Sequence, residues 1–256
     1  DNDVGFQYHP AGARIFSRQM ALWPAPQFVP ESFEVTTTDD YAEVKTVFEP
    51  LYGMVRVETC YRIHADGTLV GTLRTFDGGD MASAPEFFRV GMETTLPGRY
   101  STVDFYGKGP YETYSDRQSS ARTGHYVQSV AEQYHYGYVH PQESGTHVGL
   151  KWFRLTDDSG YGLEITSPAQ FSASALPFTR QDLTDFSSPF ASEELSSVSS
   201  RYSHSEELRP AAHEADRSRG VTHLNFDLVQ RGLGCIDSFG SLPRPEYRIP
   251  ADAYTF

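Results

Sequence analysis

Three segments of this chain concentrate side chains that could bind or transform a polyhydroxylated ligand. The densest is Tyr106-Gly107-Lys108-Gly109-Pro110-Tyr111-Glu112-Thr113-Tyr114-Ser115-Asp116-Arg117. Its glycines and proline force a sharp loop after a strand, and Glu112, Asp116 and Arg117 follow among aromatic rings. Two uses are open to such a loop. It can present carboxylates and a guanidinium to sugar hydroxyls, or it can pair those charges with one another and lock itself. The second segment, His140-Pro141-Gln142-Glu143-Ser144-Gly145-Thr146-His147, gathers polar groups just ahead of an apolar strand. It reads either as a ligand loop or as the connection leading into that strand. In the third, Gly232-Leu233-Gly234-Cys235-Ile236-Asp237-Ser238-Phe239-Gly240, three glycines frame one aromatic ring. Phe239 can stack on the C–H-rich face of a sugar, or it can plug the core.

Other chemistries have less to stand on. His125, His135, His140 and His147 fall within 23 residues, but they form no His-Glu-x-x-His pattern, and Cys60 and Cys235 have no neighbouring thiol. They read as ordinary polar histidines rather than as a metal site. Neither a Gly-x-Ser-x-Gly elbow nor a glycine-rich phosphate loop is present. The 34 acidic residues offer too many combinations for a glycosidase pair to be picked out. No self-contained catalytic machine is identifiable.

The elements that must position these segments follow a period of two. From 54 to 64, Val55, Val57, Tyr61 and Ile63 alternate with Arg56, Glu58, Arg62 and His64, the pattern of a half-buried strand. Asp66-Gly67 then supplies a hairpin turn and 68–76 the returning strand. Further strands are expected at 41–48, 87–95, 101–106, 148–155, 161–166, 171–176 and 221–229, with a second turn at Asp157-Asp158-Ser159-Gly160. Many short strands separated by turn signals predict an all-β, antiparallel sandwich. Helix signals are few: one helix at 14–22, and one opening on the capping-box-like Thr179-Arg180-Gln181-Asp182. Residues 186–220, serine-rich and then charged, read as a surface excursion within a single domain spanning 1–256.

Composition narrows the partners. The 256 residues carry 21 Lys and Arg against 34 Asp and Glu, a net charge of −13. Long-range repulsion argues against a nucleic-acid partner or an anionic membrane surface, and no apolar run reaches the ~20 residues of a membrane-spanning helix. Two cysteines without a disulfide framework, and the lack of an Asn-x-Ser/Thr sequon, lean toward the cytoplasm.

Five motifs, taken in order, resemble the C-terminal domain of bacterial β-galactosidases of glycoside hydrolase family 2. Asp1-Asn2-Asp3-Val4-Gly5 resembles the opening Asp-Asn-Asp-x-Gly. Gly109-Pro110-x-Glu112-x-Tyr114-x-Asp116-Arg117 matches every fixed position of Gly-Pro-x-Glu-x-Tyr-x-Asp-Arg. Pro141-Gln142-Glu143-Ser144-Gly145 follows Pro-Gln-Glu-Asn-Gly with Ser for Asn. Phe171-Ser172-Ala173-Ser174-Ala175-Leu176-Pro177 is similar to Phe-x-x-Ala-Leu-Pro. Gly232-x-Gly234-x-x-Asp237-Ser238-Phe239-Gly240 resembles Gly-x-Gly-Gly-x-x-Ser-Trp-Gly, with Phe for Trp and Cys235 for the second glycine of the pair.

The resemblance implies the large antiparallel β-sandwich shared with galactose mutarotases, with a few short helices. It also implies that the chain is a non-catalytic piece of a longer, retaining enzyme. In such an enzyme both catalytic glutamates, and the Mg and Na ions, lie outside this domain. Phe239, with Asp237 and Ser238, is then expected to line the aglycone side of the pocket, and Gly109, Glu112, Asp116 and Arg117 to border its mouth. The expected partners are the remaining domains, a galactoside such as lactose, and further copies in a homo-oligomer. Two other readings are a stand-alone carbohydrate-binding module and a mutarotase-type epimerase, the latter with His125 or His147 as acid and Glu143 or Glu164 as base.

Overall fold

Eleven strands form among the described residues: β1 (Pro30–Thr37), β2 (Tyr41–Phe48), β3 (Val55–His64), β4 (Leu69–Asp77), β5 (Arg89–Pro97), β6 (Thr102–Gly109), β7 (Arg122–Ser129), β8 (His147–Thr156), β9 (Gly162–Leu176), β10 (Val221–Gln230) and β11 (Tyr254–Thr255). They belong to a computed structural model, which describes residues 22–23, 26–135, 143–178, 220–234 and 241–256. One sheet has the order β1-β2-β3-β4-β11 and the other β5-β10-β9-β8-β6-β7. Every pairing is antiparallel, so the architecture is the all-β sandwich expected. The described residues hold only single 3-10 turns, at Met81–Ser83, Ala131–Gln133 and Pro245–Tyr247. The helix expected at 14–22 (apart from Leu22), the one opening at Thr179 and the excursion apart from Gly220 lie outside the described residues.

Both predicted turns form, for the anticipated reason. Gly67 takes φ +90, the Asp66 carboxylate accepts from Thr68 N at 2.8 Å, and His64 N donates to Thr68 O. Gly160 takes φ +80, while Asp157 Oδ1 accepts from Ser159 N and Tyr161 N. The strands expected at 161–166 and 171–176 are instead one strand, β9. Residues 167–170 stand against Lys151 alone in an irregularity of the β8–β9 ladder. Pro168 therefore sits where no ladder hydrogen bond is required of it.

The six-stranded sheet carries the larger core: Val103 and Phe105 of β6, Leu150, Phe153 and Leu155 of β8, Phe171, Ala173 and Ala175 of β9, and Leu224 of β10. A second cluster, Val55, Phe87, Val90 and Ile249 with Leu73, Val229 and Tyr254 against it, joins the two sheets. The apolar face predicted for β3 is only partly used. Val55 and Val57 are buried, whereas Ile63 is exposed, as are Leu69 of the adjacent β4 and Phe33 and Val35 of β1.

Two buried polar groups hold this frame. Arg89, at the start of β5, lies between Glu143 at 2.8 Å and Asp227 of β10 at 3.3 Å, all three side chains being largely withdrawn from water. Burial opposes the positive charge, but Asp227 and Glu143 outweigh it and raise the pKa of Arg89 above its ordinary value. His147, the first residue of β8, is 1% exposed and its ring lies 4.2 Å from that of Phe105. Its Nδ1 is 3.2 Å from the Lys108 carbonyl and its Nε2 2.8 Å from the Gln133 carboxamide. Burial pushes its pKa down to about 4, against the pull of the Lys108 carbonyl, so the ring is neutral at pH 7.

Arg89→Ala leaves two buried carboxylates without their cation and is expected to cost about 3–5 kcal/mol in equilibrium denaturation. The exposed pair Arg62–Glu43 provides the control, since Arg62→Ala changes the midpoint little; equal effects would refute the burial argument. His147 makes a second prediction. Its folded pKa lies below its ordinary 6.5, so the unfolded chain binds more protons between those values. Its contribution is complete above 6.5 and is lost as pH falls toward about 4. His147→Gln is therefore expected to flatten that limb of the pH–stability curve; parallel curves for wild type and variant would contradict it.

Candidate functional site

The candidate loop leaves the end of β6 at Gly109. A Cβ there would meet the Tyr126 ring at 2.9 Å and Phe105 at 3.2 Å, so this glycine is set by aromatic packing. Past Pro110, the side chain of Tyr111 stands 81% exposed, while Thr113 and Tyr114 turn inward and are buried. Tyr114 and Arg117 pair through both backbone hydrogen bonds, 3.1 and 3.0 Å. Ser115 and Asp116 thus form the tip of a closed turn.

Glu112 is the hub. Its Oε1 receives the Arg117 guanidinium, and its Oε2 accepts from Tyr114 OH at 3.2 Å and from Gly145 N at 2.8 Å. Arg117 also lies 4.9 Å over the Tyr114 ring, adding a cation–π contact. Thr113 completes the attachment. Its N–H donates to Thr146 O at 2.6 Å and its Oγ1 accepts from Val148 N at 2.9 Å. Of the two uses open to this loop, Glu112 serves the self-locking one.

The second segment, where described, is the connection leading into β8. Glu143 is buried against Arg89, and Ser144 Oγ accepts from His135 N at 2.8 Å. Gly145 adopts φ +71, where a Cβ would strike the Gln133 carbonyl at 2.5 Å. Both a left-handed backbone and a close approach require glycine there.

The third segment departs from β10 and is described as far as Gly234. Gly234 N donates to Asp116 Oδ2 at 2.6 Å, and Gly232 N donates to Tyr247 O at 2.9 Å. Asp116 therefore touches the strap that leads on to Asp237, Ser238 and Phe239, residues that lie outside the described part, as do Pro141 and Gln142. Among the four expected mouth residues, Glu112 and Arg117 are joined directly, Gly109 supports them, and Asp116 faces the other way, toward the strap.

The acid–base groups named for an epimerase are engaged separately. His147 is sealed in the core, Glu143 lies on Arg89, and His125 Nε2 meets Asp104 at 2.6 Å. Glu164 pairs with Arg154 on the exposed face. Among the described residues, no three His, Cys, Asp or Glu side chains stand together as a metal site.

Sequence reasoning overlooked Arg89 and Asp227, although a signal existed. Each is a charged residue inside an otherwise apolar run, Phe87-Phe88-Arg89-Val90 and Phe226-Asp227-Leu228-Val229, and a charge that a strand cannot turn to solvent needs a buried counter-charge.

Comparison with known proteins identifies the family. A sequence model of the family described as β-galactosidase small chain matches residues 1–256. β-Galactosidase BgaC of Bifidobacterium adolescentis is 33% identical over 174 residues, 68% of this chain and 14% of that protein. A β-galactosidase of Streptococcus thermophilus is 26% identical over 99% of this chain and 22% of its own length. One of Priestia megaterium is 27% identical over 100% of this chain and 22% of its own. The chain spans about a fifth or less of these relatives. Whole-chain agreement with the family, together with a sandwich whose loops carry the expected motifs, makes this chain a member of the β-galactosidase small chain family.

Proposed function

We propose that this chain completes the leaving-group side of the active site in a retaining β-galactosidase of glycoside hydrolase family 2, whose two catalytic carboxylates lie in the remainder of the enzyme. The observation that carries the reading is the junction of three loops at one end of the six-stranded sheet. The 109–117 loop is tied to Gly145 through Glu112 and to Gly234 through Asp116, and the latter strap leads to Phe239. A wall of this kind needs fixed loops more than reactive groups. Glu112 is consumed in its own ion pair and hydrogen bonds, while Tyr111 and Arg117 stay at the surface, where polyols can reach them.

In this reading the double displacement at the anomeric carbon is performed by carboxylates outside the chain. Phe239 offers the leaving sugar, or an acceptor that replaces it, a flat apolar face. Having no indole N–H, it contributes stacking and no hydrogen bond. The Mg and Na ions of the whole enzyme are assigned to parts beyond this chain, whereas the chain itself helps the assembly of the homo-oligomer.

The purified chain alone is expected not to hydrolyse a chromogenic β-galactoside; activity that persists through repeated purification would overturn the reading. Calorimetric titration with galactose or lactose is expected to give at most weak heats, and sub-millimolar affinity would favour a carbohydrate-binding module. In the assembled enzyme, Phe239→Ala is expected to change the ratio of kcat/KM for lactose to that for a nitrophenyl galactoside by about fivefold, as the loss of an aromatic face worth roughly 1 kcal/mol implies. An unchanged ratio would remove Phe239 from the aglycone wall.

A further inference from the structure

We propose that the uncharged face of the five-stranded sheet is a docking surface for the remainder of the β-galactosidase, which seats an apolar face of its own on the part of the sheet that the sandwich leaves bare. This rests on the reading above that the chain works within a larger enzyme. The two faces of the sheet differ sharply. On one, charged side chains pair across strands, Glu43 with Arg62, and Glu58 with both Lys45 and Arg74. On the other, the register sets Val35, Val44 and Tyr61 in one row and Ala42, Ile63 and Leu69 in the next, with Phe33 beside Val35 on the edge strand β1.

That face continues the core. Val55 and Val57, further along β3 on the same side, are buried, and Val55 packs with Phe87 and Val90. Cover from the six-stranded sheet reaches Gly71, where a Cβ would stand 3.7 Å from the Met92 methyl. Beyond it Phe33, Val35, Ile63 and Leu69 are 49–64% exposed. A contiguous apolar patch of this kind marks an interaction site, and β1, exposed along all eight residues, is an edge that invites pairing errors when left open.

The relatives point to the occupant. They match this chain over 22% of their own length, so more than three-quarters of such an enzyme has to be joined to it, and a large hydrophobic interface is what fixes one domain on another. A second copy of the chain would bring a further net charge of −13 against the first, and repulsion opposes that contact. The start of the described chain lies elsewhere. Tyr52, in the β2–β3 connection, donates to Leu22 O at 3.0 Å, and Trp23 packs edge-on against Phe87, at the opposite end of β3 from Ile63.

The test uses photochemical cross-linking in the assembled enzyme. Val35→p-benzoylphenylalanine and Ile63→p-benzoylphenylalanine probe the bare face, and Thr36→p-benzoylphenylalanine, paired with Glu43 on the charged face, is the control. Peptide sequencing after irradiation is expected to find positions 35 and 63 attached to apolar segments of the remainder, and position 36 not attached to it. Attachment instead to residues 1–21 or to the same face of a second copy, no attachment at 35 and 63, or equal yield at 36 would overturn the inference. A second measurement uses Ile63→Glu. In the purified chain its melting temperature is expected to stay within about 2 °C of wild type, because the side chain already meets water. In the assembled enzyme the half-life of activity on heating is expected to shorten about tenfold, because the carboxylate enters an apolar contact. A half-life equal to wild type, or an equally large loss in the purified chain, would also overturn it. Failure here leaves the aglycone wall to its own test, the Phe239→Ala ratio, whereas hydrolysis by the purified chain alone would bring down the larger-enzyme reading and this docking together.

Discussion

A single guanidinium buried between two carboxylates is the constraint from which the rest of the structure follows. Arg89 belongs to β5, Asp227 to the neighbouring β10, and Glu143 to the segment that leads into β8. Removing three charged groups from water is expensive and is offset only when their geometry satisfies one another. The three elements are consequently fixed at the end of the sheet where the candidate loops meet. Each loop then needs only local contacts to find its place: Gly145 receives Glu112, and Gly234, four residues past the end of β10, receives Asp116.

The junction separates two tasks that one cluster of acids and aromatics could have combined. Glu112 and Asp116 look from sequence like groups offered to a ligand, yet each spends hydrogen-bonding capacity on backbone N–H groups of another loop. A carboxylate accepting from backbone amides is a strong, directional tie, suited to holding a wall still. Tyr111 and Arg117, by contrast, present exposed surface. The loop thus keeps its acids for scaffolding and turns an aromatic ring and a cation outward.

Much of the fold was legible because the dominant signal is period-two burial, and β2 and both predicted hairpin turns coincide with their sequence signatures. Strands β1, β7 and β11 were missed. The first two are edge strands whose apolar side chains are largely exposed, so burial imposed little pattern on them, and β11 has only two residues. The division of β9 into two strands arose at Pro168, a fair breaker in isolation, which the irregular register with β8 accommodates. In the candidate site, the motifs were readable but their wiring was not. Alternation assigns a polar strand residue to solvent, and Arg89 and Asp227 defy that rule by pairing inside. The link between Asp116 and Gly234 joins positions 118 residues apart, which no local pattern encodes.

The crowding of one carboxylate against two glycines also limits what the base of this strap can carry. A Cβ at Gly232 would stand 2.5 Å from Asp116 Oδ2 and 2.8 Å from Tyr247 Cβ, and one at Gly234 2.9 Å from the same oxygen, so a side chain at either position displaces the carboxylate. The motif's one departure from glycine in this stretch falls at Cys235. Substitution at the base of the strap is therefore expected to disturb its tie to the 109–117 loop.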